Sequence, residues 1–282
     1  MSTARCIIAS LVCVLACVGC DNVVDPIASD RNGSVAIYGV LDMRTERQLL
    51  RLEALRPTIQ ETPGSLDGIA VRSVDEGTGI TQDWALLDST DRTGAPITLF
   101  EAFFNPRESA TYRMEVHRSD SVLSYARTTI PTRPVLTTGP VVGDSSQLAQ
   151  AIYLSDVNGV PERAQIAYTV TDSSEALPVT IPVAYGRLAT RPVSDLSFDV
   201  VYGSDRFVVM TQLGKEVDDE GVRFRGLSLT FDLPSPEWSN VQTDNVAGGL
   251  GFFGAVGRYS YTWILDDEVV AALGWINEQS AQ

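Results

Sequence analysis

The stretch Thr111-Tyr112-Arg113-Met114-Glu115-Val116 alternates strictly, with Tyr112, Met114 and Val116 on one side and Arg113 and Glu115 on the other. Successive side chains of a strand point to opposite faces, so this period of two reads as a half-buried strand. The run extends over 110–117, and six more runs rich in Val, Ile, Tyr, Phe and Thr surround it, at 34–41, 48–55, 68–74, 83–87, 97–104 and 121–130. Turn residues separate them. Seven short strands at this spacing predict a β-sandwich of the immunoglobulin-like or transthyretin-like kind. The run 48–55 carries two readings. Leu50, Leu52 and Ala54 alternate with Arg51 and Glu53, as in a strand. Leu49, Leu52 and Leu55 have helical spacing, as do Arg44, Arg47 and Arg51. The strands on either side favour a strand here too.

Outward from this block, Ile130-Pro131-Thr132-Arg133-Pro134 breaks the pattern, because proline removes a ladder donor and fixes φ. A second set of runs follows at 148–154, 164–171, 179–185, 196–202, 206–213, 222–233 and 259–265. Turn signals sit between them at Asp156-Val157-Asn158-Gly159 and Tyr202-Gly203-Ser204-Asp205. Asp266-Asp267-Glu268 opens a helix that runs through about Ile276, since acidic residues suit a helix N-terminus. The expected fold class is all-β: an N-terminal sandwich over 34–131, then a second antiparallel β-domain over 135–282 with one short C-terminal helix.

The amino terminus, MSTARCIIASLVCVLACVGC, has a short n-region with Arg5 and an apolar run from Cys6 to Val18. The run is short for a membrane span and has the form of a signal peptide. All four cysteines, Cys6, Cys13, Cys17 and Cys20, lie inside it, so residues 21–282 hold no disulfide, cysteine nucleophile or cysteine metal site. Cysteines after small residues at the end of such a run resemble a bacterial lipobox. Cys20 follows Val18-Gly19 and precedes Asp21; Cys17 follows Val14-Leu15-Ala16. The expected division is a lipoprotein signal peptide over 1–19, then the lipidated Cys20 (Cys17 being the other register) and a polar tether over 20–33. Two or more acyl chains suffice for stable anchoring.

The chain carries 36 acidic residues against 21 basic ones, a formal net charge of −15. Such a chain repels a phosphate backbone, which excludes nucleic acid as an expected partner. Lys215 is the single lysine beside twenty arginines. Solvation in a saline medium and a biased codon usage both give this composition.

Several constellations offer chemistry. Gly249-Leu250-Gly251-Phe252-Phe253-Gly254 matches the dinucleotide pattern letter for letter. That pattern needs a strand before it and a helix after it. Here Pro234, Pro236 and Trp238 precede it and the run 259–265 follows, so the glycines read as backbone geometry and Phe252 and Phe253 as packing. The stretch is expected to dock on the second β-domain and fix its last strand; an exposed receptor patch is the competing reading. His117 is the sole histidine, which leaves a Ser-His-Asp triad or a histidine zinc site little to work with. Asp218-Asp219-Glu220-Gly221 reads as a solvated turn, with calcium as the sharper alternative. Among Trp84, Trp238, Trp263 and Trp275, the last two suit a core, and Trp238, set among Pro, Ser and Asn, is the candidate for ligand contact. No cofactor and no catalytic residue is expected.

Taken together, the lipobox, the tether, Ala36-Ile37-Tyr38-Gly39-Val40-Leu41, Leu66-Asp67-Gly68-Ile69-Ala70-Val71, Ala110-Thr111-Tyr112-Arg113-Met114, Ile130-Pro131 and Asn245-Val246-Ala247-Gly248-Gly249-Leu250-Gly251-Phe252-Phe253-Gly254 make a pattern. It resembles a family of outer-membrane lipoproteins of Bacteroidetes-type bacteria that carry a domain of unknown function. Gly248, Gly249, Gly251, Phe252, Phe253 and Gly254 form its most specific piece. The resemblance implies an envelope location and a place beside a TonB-dependent receptor. The expected function is a non-enzymatic, lipid-anchored binding or accessory protein; a structural surface protein and a carboxylate-based hydrolase are the alternatives.

Overall fold

The computed structural model describes residues 35–279, apart from 56–64, 91–92, 95, 145, 173–176, 218 and 240–244. The signal segment, Cys17, Cys20, the tether and Asp218 lie outside the described residues. The chain is mainly β, as its patterning predicts. Each of the seven N-terminal runs forms a strand: β1 (Val35–Asp42), β2 (Arg47–Ala54), β3 (Ile69–Asp75), β4 (Thr81–Thr90), β5 (Pro96–Phe103), β6 (Thr111–Arg118) and β7 (Ser121–Thr129). The ambiguous run is settled as a strand. Gln48, Leu50 and Leu52 are buried while Arg47, Leu49 and Arg51 are exposed, which is a period of two.

β4 turns the corner of the first sandwich. Its residues Thr81–Trp84 pair with β3 and its residues Ala85–Thr90 pair with β5. On one side lie β1, β2 and β5, on the other β3, β6 and β7. Ile37, Leu50, Leu52, Phe100, Met114 and Val116 fill the core between them.

After the proline segment come β8 (Val135–Val142), β9 (Ala149–Ser155), β10 (Glu162–Asp172), β11 (Val179–Gly186), β12 (Leu196–Val201), β13 (Val222–Pro234), β14 (Val246–Ala247), β15 (Leu250–Trp263) and β16 (Ile276–Asn277). Among the described residues three helices are interspersed: α1 (Tyr202–Gln212), α2 (Pro236–Ser239) and α3 (Asp267–Ala272). β8, β9 and β12 form a small sheet, and β11, β10, β13 and β15 run in order in the large one. Between them lies a second core built on Ile152, Tyr168, Met210, Phe224, Leu229 and Trp275.

Two expectations fail here. The run 206–213 is the body of α1, not a strand. Tyr202, Asp205, Val209 and Met210 are its buried residues, a spacing that fits one face of a helix. The turn signal at Tyr202-Gly203-Ser204-Asp205 thus starts a helix. The C-terminal helix also ends earlier than expected, at Ala272. Gly274 takes the left-handed φ of +71°, which stops the helix. Trp275 therefore lies beyond the helix and stacks on Phe224 at 5.8 Å, and Ile276–Asn277 pair in parallel with β13.

β15 joins the two cores. Its residues Leu250–Val256 pair in parallel with β1, and its residues Val256–Trp263 pair antiparallel with β13. Val246, Phe253 and Ala255 are buried in the first core, Tyr259 in the second. β14, just before it, pairs with β7. β14 and the first half of β15 therefore occupy the gap between β7 and β1, the last and first strands of the N-terminal sandwich. The glycine-rich stretch docks on the first core, where the second was expected, because its inward residues have the register of β1 and not of β13.

The proline segment lies against the same strand. Tyr259 Oη donates to the Pro131 carbonyl, and Tyr261 Oη to the Pro134 carbonyl at 2.5 Å. The Arg133 guanidinium sits over the Tyr261 ring, 4.7 Å from its centre, and donates to the Ser260 carbonyl.

Candidate ligand-binding cleft

The glycine-rich signature is a piece of sheet. Gly248, at φ +71°, makes the turn from β14 to β15; a Cβ there would stand 2.6 Å from the Leu123 carbonyl oxygen. Gly249 passes as close to Val35, with 2.5 Å to its carbonyl oxygen. Gly251, at φ +112°, faces the Ile37 backbone across the parallel pair. These positions exclude side chains because another backbone fills the space. A strand follows them, so the helix that a dinucleotide site requires is absent from this stretch.

Phe252 and Phe253 point opposite ways, as strand neighbours must. Phe253 is fully buried, and the Asn245 side chain completes its backbone bonding: Phe253 N–H donates to Asn245 Oδ1 at 3.0 Å. Phe252 lies on the outer face. Its ring folds over Gly254, whose missing side chain makes the room; a Cβ there would meet Phe252 Cζ at 2.5 Å. Phe252 then meets Trp238 edge-on, with ring centres 5.6 Å apart.

Trp238 is held at this place by the short helix α2. Ser235, fully buried, donates its N–H to the Ala255 carbonyl at 2.8 Å and accepts the Ala255 N–H at its Oγ at 3.1 Å. Trp238 N–H donates to the Ser235 carbonyl at 3.0 Å. The indole remains 43% exposed and lines a cleft of about 420 Å³. Val40, Leu49, Pro234 and Val256 supply its apolar wall; Asp42, Arg44, Arg163 and Asp232, with Arg47 and Glu162, supply its charges. The volume is in the range of small-molecule sites.

The β1–β2 hairpin positions the first pair of charges. Gln48, buried under the turn, accepts the Asp42 N–H at 2.8 Å and donates to the Thr45 carbonyl at 2.6 Å. Asp42 Oδ1 accepts the Arg44 N–H at 2.8 Å and the Arg44 Nε at 2.7 Å. Burial pushes the Asp42 carboxyl up, but the Arg44 side chain and backbone bonds and the charges of Arg44 and Arg258 outweigh it. Asp42 is held below the usual carboxylate range.

Asp232 is the hub of the cleft floor, with its side chain 3% exposed. Arg44 Nη1 reaches it at 2.9 Å and Arg258 Nε at 2.8 Å. Arg163 Nη1 stands farther off, at 3.5 Å, on a side chain that is 69% exposed. Arg163 adopts a left-handed φ of +52°, where the register of β10 against β13 shifts between Glu162 and Gln165. A bulge of this kind re-aims a side chain away from the regular alternation.

Of the residues singled out in sequence, the structure therefore brings Trp238, Phe252 and Gly254 to one place. The charged members, Asp42, Arg44, Arg163 and Asp232, carry no spacing that could have revealed them, since they come from three distant parts of the chain. His117 pairs with Glu115, two residues before it on β6, at 3.0 Å. Among the described residues, no group of three or more His, Cys, Asp or Glu could hold a metal ion, and no helix is long and apolar enough to cross a membrane.

A second buried acid lies in the C-terminal core. Asp205 Oδ2 accepts Tyr168 Oη at 2.6 Å and Tyr185 Oη at 2.8 Å. Burial raises its carboxyl above the ordinary value, with the two phenol bonds opposing.

Compared with known proteins, the chain matches no family model and no curated protein. Fold and cleft alone define a two-core β-protein with an open, aromatic and arginine-lined cleft.

Proposed function

We propose that this protein is a lipid-anchored envelope protein that binds a small ligand in the Trp238 cleft and does not transform it, acting beside an outer-membrane receptor. The exposed indole at the mouth of a charged cleft is the observation that carries the reading.

The acids of the cleft favour binding over hydrolysis. A glycosidase needs one carboxyl kept protonated near neutrality. Asp42 is shifted the other way, Asp232 is tied to Arg44 and Arg258, and Glu162 is paired with Arg187. The test has two arms. Radiolabelled palmitate should enter the wild type and not Cys20→Ala; label lost in Cys17→Ala instead moves the register, and label unchanged in both removes the anchor. Cross-linking should recover a receptor with the wild type. Turnover of a glycan panel by the purified protein would contradict the non-enzymatic reading.

A further inference from the structure

We infer that the cleft takes an acidic saccharide, with a hexuronate carboxylate paired to Arg163 and a sugar ring against Trp238; this rests on the cleft being a binding site. Around Asp232 stand three guanidiniums, those of Arg44, Arg163 and Arg258, and two carboxylates, Asp42 and Asp232. Three cations less two anions leave one positive charge. The two other charges that line the cleft are each paired: Arg47 with Glu101 at 2.8 Å, and Glu162 with Arg187. On a chain of net charge −15 this is a local reversal of sign, matched to one carboxylate.

Of the three guanidiniums, Arg163 is the one available to a ligand. Arg44 and Arg258 spend their donors on Asp42 and Asp232 at 2.7–3.3 Å. Arg163 is held loosely and largely exposed, on a backbone conformation that non-glycine residues rarely adopt. Such a conformation persists where the surroundings impose it, and it turns this side chain to the cleft. A guanidinium presents a planar fork that matches a carboxylate.

Trp238, Val40, Leu49, Pro234 and Val256 give an apolar wall with a flat aromatic member, suited to the C–H face of a sugar ring. A peptide bound through its main chain would need a free sheet edge. The strands at the cleft are flanked on both sides: β1 by β15 and β2, β2 by β1 and β5, β13 by β10 and β15.

The test is calorimetric titration of residues 21–282 with a galacturonate trisaccharide, a neutral galactose trisaccharide and the tripeptide Ala-Ala-Ala. The acidic sugar should bind and weaken as salt is raised, with the neutral sugar and the tripeptide far weaker. Arg163→Gln should lower its affinity about tenfold or more, the loss of one charge-assisted contact, with melting unchanged because the residue is exposed. Trp238→Ala should lower affinity for the acidic sugar too. Equal binding of both sugars, lost in Trp238→Ala and untouched in Arg163→Gln, would overturn the acidic class and keep the cleft as a binding site. Binding of the tripeptide alone would overturn the saccharide class. Binding of none would overturn this inference and remove the support for the cleft itself.

Discussion

The Ile37 carbonyl oxygen occupies the space that a β-carbon on Gly251 would need. The two residues are partners in the parallel pairing of β1 with β15, and φ at Gly251 is +112°. This contact fixes how closely the last long strand approaches the first. Phe253 reaches the first core through that approach, and Phe252 is placed over Gly254 beside Trp238. Core and cleft therefore depend on the same few glycines.

Gly251→Ala should destabilise the chain by about 3 kcal/mol or more, since it adds both backbone strain and a clash with fixed backbone. Urea denaturation followed by fluorescence reads this as a lower midpoint. An unchanged midpoint would mean that β15 can move off β1 without loss.

Phe253→Ala and Phe252→Ala should differ sharply. Phe253 is fully buried, so its truncation leaves a cavity and costs about 3–5 kcal/mol. Phe252 is on the outer face against Trp238, so its truncation should cost about 1 kcal/mol and instead free the indole. The opposite ranking would reverse the facing of this strand.

Asp232→Ala should cost about 3 kcal/mol, because it leaves Arg44 and Arg258 without their buried partner. A double substitution with Arg44→Ala should recover part of the loss. Full additivity of the two would mean that the pair is not coupled.

Asp205 gives a pH dependence of defined sign. Its folded-state pKa is raised above the unfolded value near 3.9, so the fold favours the protonated acid. That contribution is complete below the unfolded value and is lost as pH rises through the folded value. Asp205→Asn copies the neutral form and keeps an oxygen for the Tyr168 and Tyr185 hydroxyls. Its melting temperature relative to wild type should therefore rise from pH 4 to pH 7. A relative fall over that interval would contradict burial as the dominant influence.

The strands of the first sandwich were legible because each has one face in water and one in the core. β6 shows this in Tyr112, Met114 and Val116, and β2 in Leu50 and Leu52 once the helical spacing of Leu49 and Leu55 is set aside. α1 was not, because Tyr202, Asp205, Val209 and Met210 form a narrow stripe that is partly polar, while Phe207 and Val208 beside it imitate a strand. The role of Gly249–Gly254 escaped for a different reason. Parallel pairing with a strand more than two hundred residues earlier, Ala36 opposite Leu250, leaves no local mark. Trp238 was legible as an exposed tryptophan in a polar loop. Arg163 was not, since nothing in Pro161-Glu162-Arg163-Ala164 announces a bulge.

The N-terminal sandwich is completed by β14 and the first half of β15, from the far end of the chain. Residues 34–131 expressed alone, and the same residues joined by a flexible linker to residues 245–257, test it directly by amide NMR dispersion and thermal melting. The first should lack a cooperative transition, for it misses β14, the first half of β15 and the buried Val246, Phe253 and Ala255. The second should fold. A sharp melt and dispersed amides from residues 34–131 alone would contradict the account.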